Sequence, residues 1–175
     1  MLNLIRPALI VLFLLPALAF AHGPSRQKVD KQIEINAPVA RVWGLISDFC
    51  AIKSWNPDVT ACESDKGNNV DSVRTITLEN GQKMKEKLVK YNPEQFSYQY
   101  MMVEPNVEAF PINTHGASLT VKAGDGGKSI VEWKGAFYRS FPGPNPPPEL
   151  SDEAASKALS DFYTKGLENI KKLAE

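Results

Sequence analysis

Residues 151–175 read SDEAASKALSDFYTKGLENIKKLAE and form the longest and clearest helical pattern in the sequence. Ser151 is a typical N-cap residue, and acids in the first turn with lysines near the end suit the helix dipole. A helix with one apolar face must bury that face against another layer of structure. Its apolar positions recur at steps of three and four residues, and they are Ala155, Leu159, Phe162, Gly166, Ile170 and Leu173.

A run of short β-strands in the middle of the chain predicts that second layer. Turn residues separate the strands, among them Asn80-Gly81, Asn92-Pro93 and Gly124–Gly127. Asn-Gly tolerates the positive φ angles of a two-residue hairpin turn, and consecutive hairpins give an antiparallel sheet. The predicted strands span 29–35, 59–63, 70–78, 82–91, 95–103, 114–123 and 128–141, and one or two short helices are predicted over 39–48 and 49–55.

The order of these elements indicates an α+β domain. A curved antiparallel sheet of about seven strands is expected to wrap around the long C-terminal helix, and such a sheet leaves a cleft between the two layers. The chain has 175 residues, of which 43% are hydrophobic and 23% charged. This length and composition suit one globular domain, which we place at 29–175.

The first 21 residues have the features of a secretory signal peptide. Arg6 is the only charged residue, an apolar stretch follows it, and Ala19-Phe20-Ala21 is a small-residue cleavage site. The alternative is a membrane anchor, but the apolar run contains Pro16 and is shorter than the roughly 20 residues that a span needs. We therefore expect cleavage after Ala21, a flexible start over 22–28, no membrane span afterwards and a periplasmic location.

Cys50 and Cys62 are the only cysteines in the sequence. They are too few for a disulfide scaffold or a four-cysteine zinc site. In an oxidising compartment two thiols this close in sequence tend to pair, so a Cys50–Cys62 disulfide is predicted; the alternative is two unlinked buried thiols. No metal site and no other cofactor is expected.

The charge balance excludes one class of function. The sequence has 20 basic and 20 acidic residues, which argues against a strongly basic nucleic-acid binder that works by releasing counterions. The row Lys83, Lys85 and Lys87 on one strand is either an ordinary solvated face or a patch for an acidic partner.

Period-two alternation assigns the strand side chains to two faces. The face toward the helix is predicted to be apolar and aromatic, with few polar groups. These groups either satisfy one another inside a filled core or line a cavity for a small molecule. The candidates for lining the cleft are Glu86, Tyr98, Tyr100, His115, Trp133 and Phe162.

An enzyme would use Glu86 or His115 as acid or base, with a tyrosine orienting the substrate. The sequence contains no nucleophile elbow, phosphate loop, Rossmann glycines or zinc-binding helix motif, so no catalytic residue is assigned. A partner-binding protein would instead use the proline-rich loop 142–148 with its flanks, and the loop 105–111. The candidates for partner contact are Phe110, Phe141, Pro147 and Leu150.

Several short motifs follow one another before the hairpins: Ala37-Pro38, Val42-Trp43, Ile46, Asp48-Phe49 and Trp55-Asn56-Pro57. With the hairpin-rich middle and the C-terminal helix, they resemble the SRPBCC superfamily of START-like, polyketide-cyclase-like proteins. The resemblance covers nearly all of the chain after the signal peptide and implies a helix-grip fold. Its motifs are mainly structural and therefore say little about function.

A narrower resemblance rests on Ser54–Pro57, on Val131-Glu132-Trp133 and on the loop Pro142–Pro148 in an exported single domain. These features are similar to the MxaD family of methylotrophic bacteria. The resemblance implies a non-catalytic periplasmic accessory role in methanol oxidation, with methanol dehydrogenase and its cytochrome c as partners. The alternatives are a carrier of a small hydrophobic ligand in the cleft and, third, a cyclase-like or hydrolase-like enzyme.

Overall fold

The computed structural model describes residues 23–175, so the predicted signal peptide lies outside the described residues. Seven strands form one antiparallel sheet in the order β1-β7-β6-β5-β4-β3-β2. No helix in this part of the chain is both long and apolar enough to cross a membrane. The elements are β1 (Gln27–Ile35), α1 (Val39–Ile46), α2 (Ile52–Trp55), β2 (Val59–Ser64), β3 (Val73–Leu78), β4 (Lys83–Asn92), β5 (Ser97–Glu104), β6 (Ile112–Ala123), β7 (Ser129–Arg139) and α3 (Asp152–Ala174).

The predicted α+β architecture is confirmed, with small differences at the ends of the elements. β1 begins at Gln27, inside the segment that was expected to be flexible. β3 begins at Val73 rather than Val70, because the preceding residues turn: the Ser72 amide donates to the Asn69 carbonyl, and Asp71 has a φ of 67°.

The turn between β3 and β4 differs from the predicted two-residue hairpin. Thr77 pairs with Lys83, and the Leu78 amide donates to the Gln82 carbonyl, so three residues form the loop. Within this loop only Gly81 has a positive φ, of 80°, whereas a two-residue Asn-Gly turn needs a positive φ at both residues. The extra loop residue shifts the pairing of the two strands by one position.

The buried face of α3 packs against β1, β7, α1 and α2. Ser151 caps the helix as predicted, and its hydroxyl accepts a hydrogen bond from the Ala154 amide at 3.1 Å. Leu173 was expected on the buried face but is 43% exposed, because the 3.6-residue repeat places Ala174 above Ile170. The buried residues of α3 are Ala155, Leu159, Phe162, Tyr163, Gly166, Leu167, Ile170 and Ala174.

The predicted disulfide between Cys50 and Cys62 is present, with their Cα atoms 5.5 Å apart. It links the segment between α1 and α2 to β2 and so holds that segment against one edge of the sheet. Phe49, the neighbour of Cys50, is fully buried. The disulfide therefore fixes the position of a residue that reaches the centre of the molecule.

Candidate functional site

The cleft-lining candidates on the strands meet in the space between the sheet and α3. Each of them is at most 3% exposed, and their side chains contact one another and the rings of α3. Among the described residues, the side chains at these positions therefore fill the space between the sheet and α3. The sequence left open whether they would form such a filled core or line a cavity for a small molecule. The five residues are Glu86, Tyr98, Tyr100, His115 and Trp133.

A buried ion pair, which the sequence analysis did not identify, lies at the centre of this cluster. The Arg74 guanidinium contacts the Glu86 carboxylate through Nε at 2.8 Å and through Nη2 at 2.7 Å. The two side chains are 1% and 4% exposed. Arg74 Nη1 also donates to the carbonyl oxygen of Phe49. Glu86 therefore has the partner that a buried carboxylate requires.

Two aromatic rings flank the cationic group of this pair. The guanidinium carbon of Arg74 lies 4.1 Å from the centroid of Phe49 and 4.9 Å from that of Tyr100. Burial has the largest single influence on the pKa of Arg74 and lowers it, but Glu86, Tyr98 and Tyr100 together outweigh burial, so the pKa is raised above its ordinary value. The guanidinium thus stays charged inside the protein.

The position of Arg74 follows from the loop between β3 and β4. Arg74 shares a face of β3 with Ile76 and Leu78, so alternation alone directs it inward. The three-residue loop places Arg74 opposite Glu86 in the sheet. The alternation was therefore the signal that could have identified Arg74, whereas the predicted two-residue turn would have placed it opposite Lys87.

A second group of polar contacts joins the sheet to α3. His115 Nε2 and the Tyr163 hydroxyl are 2.9 Å apart, and Trp133 Nε1 donates to the Tyr100 hydroxyl at 2.9 Å. The rings of Trp133 and Tyr163 are stacked, with centroids 4.0 Å apart. Tyr163 is therefore part of the cluster, although the apolar stripe that was predicted for the helix did not include it.

Burial controls the ionisation of these groups. It raises the pKa of Tyr98 to about 12 and the pKa values of Tyr100 and Tyr163 well above the ordinary value, so all three are neutral phenols near neutral pH. Burial also lowers the pKa of His115 to about 4, so its imidazole is neutral. His115 Nδ1 has no hydrogen-bond partner among residues 23–175.

Two glycines let the helix and sheet approach each other. A Cβ atom on Gly135 of β7 would overlap with the Tyr163 hydroxyl and lie 3.1 Å from His115 Nε2. A Cβ atom on Gly166 of α3 would lie 2.9 Å from both Asn56 Nδ2 and a ring carbon of Trp133. The absence of a side chain at these two positions therefore allows the polar and aromatic contacts to form.

The substitution Gly166→Ala is expected to lower the free energy of unfolding by about 1–3 kcal/mol, the usual cost of overpacking a core. Asn56 cannot easily move aside, because its amide donates to the Phe162 carbonyl at 3.2 Å. Urea unfolding measures the effect. Gly44→Ala in α1 is the matched control, since nothing lies within 4 Å of its Cβ position, and it should raise stability by up to about 1 kcal/mol. Equal stability of the two variants would contradict the prediction.

A concavity of about 250 Å³ lies outside this core, between α3, the β3–β4 loop and the loop before β6. Phe162 and Phe110 line it and pack edge to face, with ring centroids 5.2 Å apart. Phe162 therefore lies at the boundary between the filled interior and the surface. The remaining lining residues are Asp58, Leu78, Glu79, Asn80, Ala109 and Lys165.

The four candidates for partner contact are less exposed than expected. Phe110 is only 7% exposed and belongs to the core. Phe141, Pro147 and Leu150 are half-buried. Arg139 holds the proline-rich loop in place.

The guanidinium of Arg139 donates to the backbone carbonyls of Phe141 at 3.1 Å and Gly143 at 2.7 Å, and to the carboxylate of Asp152 at 2.8 Å. The loop is therefore bound to the end of β7 and to the start of α3. Within residues 23–175 no cluster of three or more His, Cys, Asp or Glu side chains could hold a metal ion.

The curved antiparallel sheet around a long C-terminal helix defines a helix-grip protein. Residues 26–175 match the family described as polyketide cyclase / dehydrase and lipid transport, and the chain belongs to that family. The predicted membership of the polyketide-cyclase-like superfamily is thereby confirmed. No curated protein matches the sequence.

Solved structures support the same assignment. XoxI from Bacillus cereus is 25% identical, with a TM-score of 0.72 over 84% of this chain and 94% of that one. A protein from Thermobifida fusca is 26% identical, with a TM-score of 0.68 over 84% and 92% of the two chains. Norcoclaurine synthase from Thalictrum flavum has a TM-score of 0.65 over 86% and 87%, and at 13% identity it shows the fold alone.

Proposed function

We propose that this protein is a non-catalytic periplasmic accessory protein of methanol oxidation. It assists the interaction, or the electron transfer, between methanol dehydrogenase and its cytochrome c. The sequence features shared with the MxaD family support this role. The Cys50–Cys62 disulfide supports a location in an oxidising compartment such as the periplasm.

The filled interior is the observation that carries the proposal. Glu86 and His115 are the groups that an enzyme of this fold would use as acid or base, and they are 3% and 2% exposed. Glu86 is paired with Arg74, and His115 contacts Tyr163. Proton transfer to a substrate requires hydrogen-bond reach, and burial keeps both groups out of reach of a substrate. The function is therefore assigned to the surface of the protein.

The test is the rate of electron transfer from methanol dehydrogenase to its cytochrome c, measured with and without the purified protein. We expect a saturable increase at concentrations of the protein comparable to those of its partners. An unrelated protein of similar size and net charge serves as the control for crowding. If the rate is unchanged at every concentration, the accessory role is wrong.

A carrier of a small hydrophobic ligand is the second candidate, and the concavity beside Phe110 and Phe162 favours it. Native mass spectrometry of the protein purified from its host would reveal a bound ligand. Ala109→Trp fills the concavity and should release the ligand, whereas Ala61→Trp on exposed β2 should retain it. Absence of any ligand from the native protein would argue against the carrier.

An enzyme is the third candidate. Catalytic turnover by the wild type that is lost in Glu86→Gln or His115→Ala would favour it.

A further inference from the structure

A trough of about 670 Å³ crosses the face of the sheet that points away from α3. It extends over β1, β7, β6, β5 and β4, which is about 19 Å at the usual strand spacing. We call it the outer trough. Its lining includes the outward-facing residues Lys28, Met101, Gly116, Lys134, Ala136 and Tyr138.

The register of the strands creates this trough. Lys28 lies opposite Ala136, Ala136 opposite Gly116, and Gly116 opposite Met101. Two very small residues thus sit side by side at the middle of the row. The neighbouring outward positions on β7 carry Tyr138 and Lys134, whose longer side chains form the walls. Alternation places all of these residues on the face opposite the filled core.

Apolar side chains are concentrated on this same face. Of the seven large hydrophobic residues that are exposed within residues 23–175, three line the trough, and a fourth, Val103, points outward from the same strand as Met101. Scattered single residues of this kind are normal on a protein surface, whereas a contiguous group marks an interaction site. The four are Val89, Met101, Val103 and Tyr138.

The charge around the trough is positive. Arg26, Lys28 and Lys134 line it, against one acid, Asp30. Within the part of the chain that the structure describes, neither Arg26 nor Lys28 is in a salt bridge, and Lys134 contacts Glu132 at 3.2 Å. The lysine row Lys83, Lys85 and Lys87 lies on the same side of the sheet on β4 but adds little net charge, because Lys85 pairs with Glu104 at 2.8 Å and Lys87 with Asp71 at 3.6 Å. The lining of the trough therefore carries three positive charges against one negative charge, although the whole chain has equal numbers of acids and bases.

We infer that the outer trough is the docking surface for a partner protein that presents an acidic surface around a protruding apolar side chain. The inference rests on the proposed accessory function and names the face that performs it. The cations complement the acidic surface and speed the encounter, while the apolar floor receives the protruding side chain. The proline-rich loop is a weaker candidate, because Arg139 binds its backbone and its apolar side chains are half-buried.

A protein partner explains the shape better than an anionic membrane does. The apolar floor at Ala136 and Gly116 lies below the walls of the trough. A flat lipid surface would meet Tyr138 and the lysines before it reached that floor, whereas a single protruding side chain can enter.

The experiment measures binding of the full-length mature protein to purified methanol dehydrogenase and, separately, to cytochrome c, together with the electron-transfer rate. Arg26→Glu/Lys28→Glu should slow association with one of the two proteins by about tenfold at low salt. Ala136→Trp, which fills the trough, should abolish both binding and rate stimulation. The matched controls are Lys53→Glu/Lys172→Glu, two exposed cations remote from the trough, and Ala61→Trp on β2.

The outcomes separate the inference from the proposed function. Loss of binding in the trough variants but not in the controls supports the inference. If the wild type stimulates electron transfer and the trough variants stimulate it equally well, the inference is overturned but the accessory function stands. Absence of wild-type binding to both proteins would overturn both. Binding only to phosphatidylglycerol vesicles, lost in Ala136→Trp, would overturn the assignment of a protein partner.

Discussion

Removing one member of the buried ion pair, by Arg74→Met or Glu86→Gln, is expected to lower the free energy of unfolding by about 3–5 kcal/mol. Each substitution leaves the other charge unpaired where the two side chains are 1% and 4% exposed. Arg74→Met also removes the donor to the Phe49 carbonyl, so its effect should be the larger. Urea unfolding followed by tryptophan fluorescence measures both variants.

Two further variants give this prediction its controls. Arg74→Met/Glu86→Leu removes both charges and should recover much of the lost stability, because well-packed apolar groups often replace buried pairs at little cost. Lys85→Met breaks the exposed pair with Glu104 in the same part of the sheet, with side chains 50% and 59% exposed. It should cost at most about 1 kcal/mol. A loss in Glu86→Gln as small as that in Lys85→Met would show that the buried pair contributes little.

The double variant also separates structure from chemistry. If the ion pair serves only the core, Arg74→Met/Glu86→Leu should fold and should still stimulate electron transfer between the proposed partners. If it folds but has lost the function, Arg74 and Glu86 act at a site that opens during function. The accessory proposal predicts the first result.

Much of the fold could be predicted because its signals are local. Ser151 and the spacing of Ala155 and Leu159 mark α3, and the turn residues divide the sheet into strands. These patterns depend on the few residues that are neighbours along the chain. Alternation also identified the inward rows that contain Glu86 and His115.

The partner of Glu86 could not be predicted in the same way, because it depends on the register of two strands. When the loop between the two strands is one residue longer than the predicted two-residue turn, Glu86 instead of Lys87 lies opposite Arg74. The sequence pattern at Asn80-Gly81 suits loops of both lengths. The sequence therefore indicated that a carboxylate points inward without indicating which group neutralises it.

The filled interior and the outer trough depend on contacts among distant residues. An inward row of tyrosines is compatible with either an open cleft or a closed one. The side chains that α3 places against the sheet decide between the two. Tyr163 occupies space beside His115 and Trp133 only because Gly135 lacks a side chain. On the opposite face, the trough exists because Gly116 and Ala136 become neighbours across two strands.

Acid is expected to destabilise the protein through His115. Burial lowers the pKa of this imidazole from 6.5 to about 4 in the folded protein. The unfolded chain binds a proton near pH 6.5, whereas the folded chain does not until the pH reaches about 4. The stabilisation is therefore present above pH 6.5 and is lost as the pH falls from 6.5 to 4. A shift of this size corresponds to about 3 kcal/mol by pH 4.

His115→Gln isolates this contribution, because glutamine is neutral throughout the range. The variant should be less stable than the wild type at pH 7, since it alters the contact with Tyr163. Its free energy of unfolding should nevertheless change less between pH 6.5 and pH 4. Carboxylates with lowered pKa values, such as Glu132 and Glu175, are common to both proteins and act mainly at the acid end of the range.

Urea unfolding at several pH values between 7 and 4.5 measures the two slopes. The other histidine, His22, is the same in both proteins, so the difference between the slopes belongs to His115. An NMR titration of the imidazole provides an independent reading and should show a neutral ring at pH 5. A steep pH dependence that is the same in both proteins, or a ring that titrates near 6.5, would mean that water reaches His115. An open cleft would then replace the filled core, and the carrier would become the better explanation of the fold.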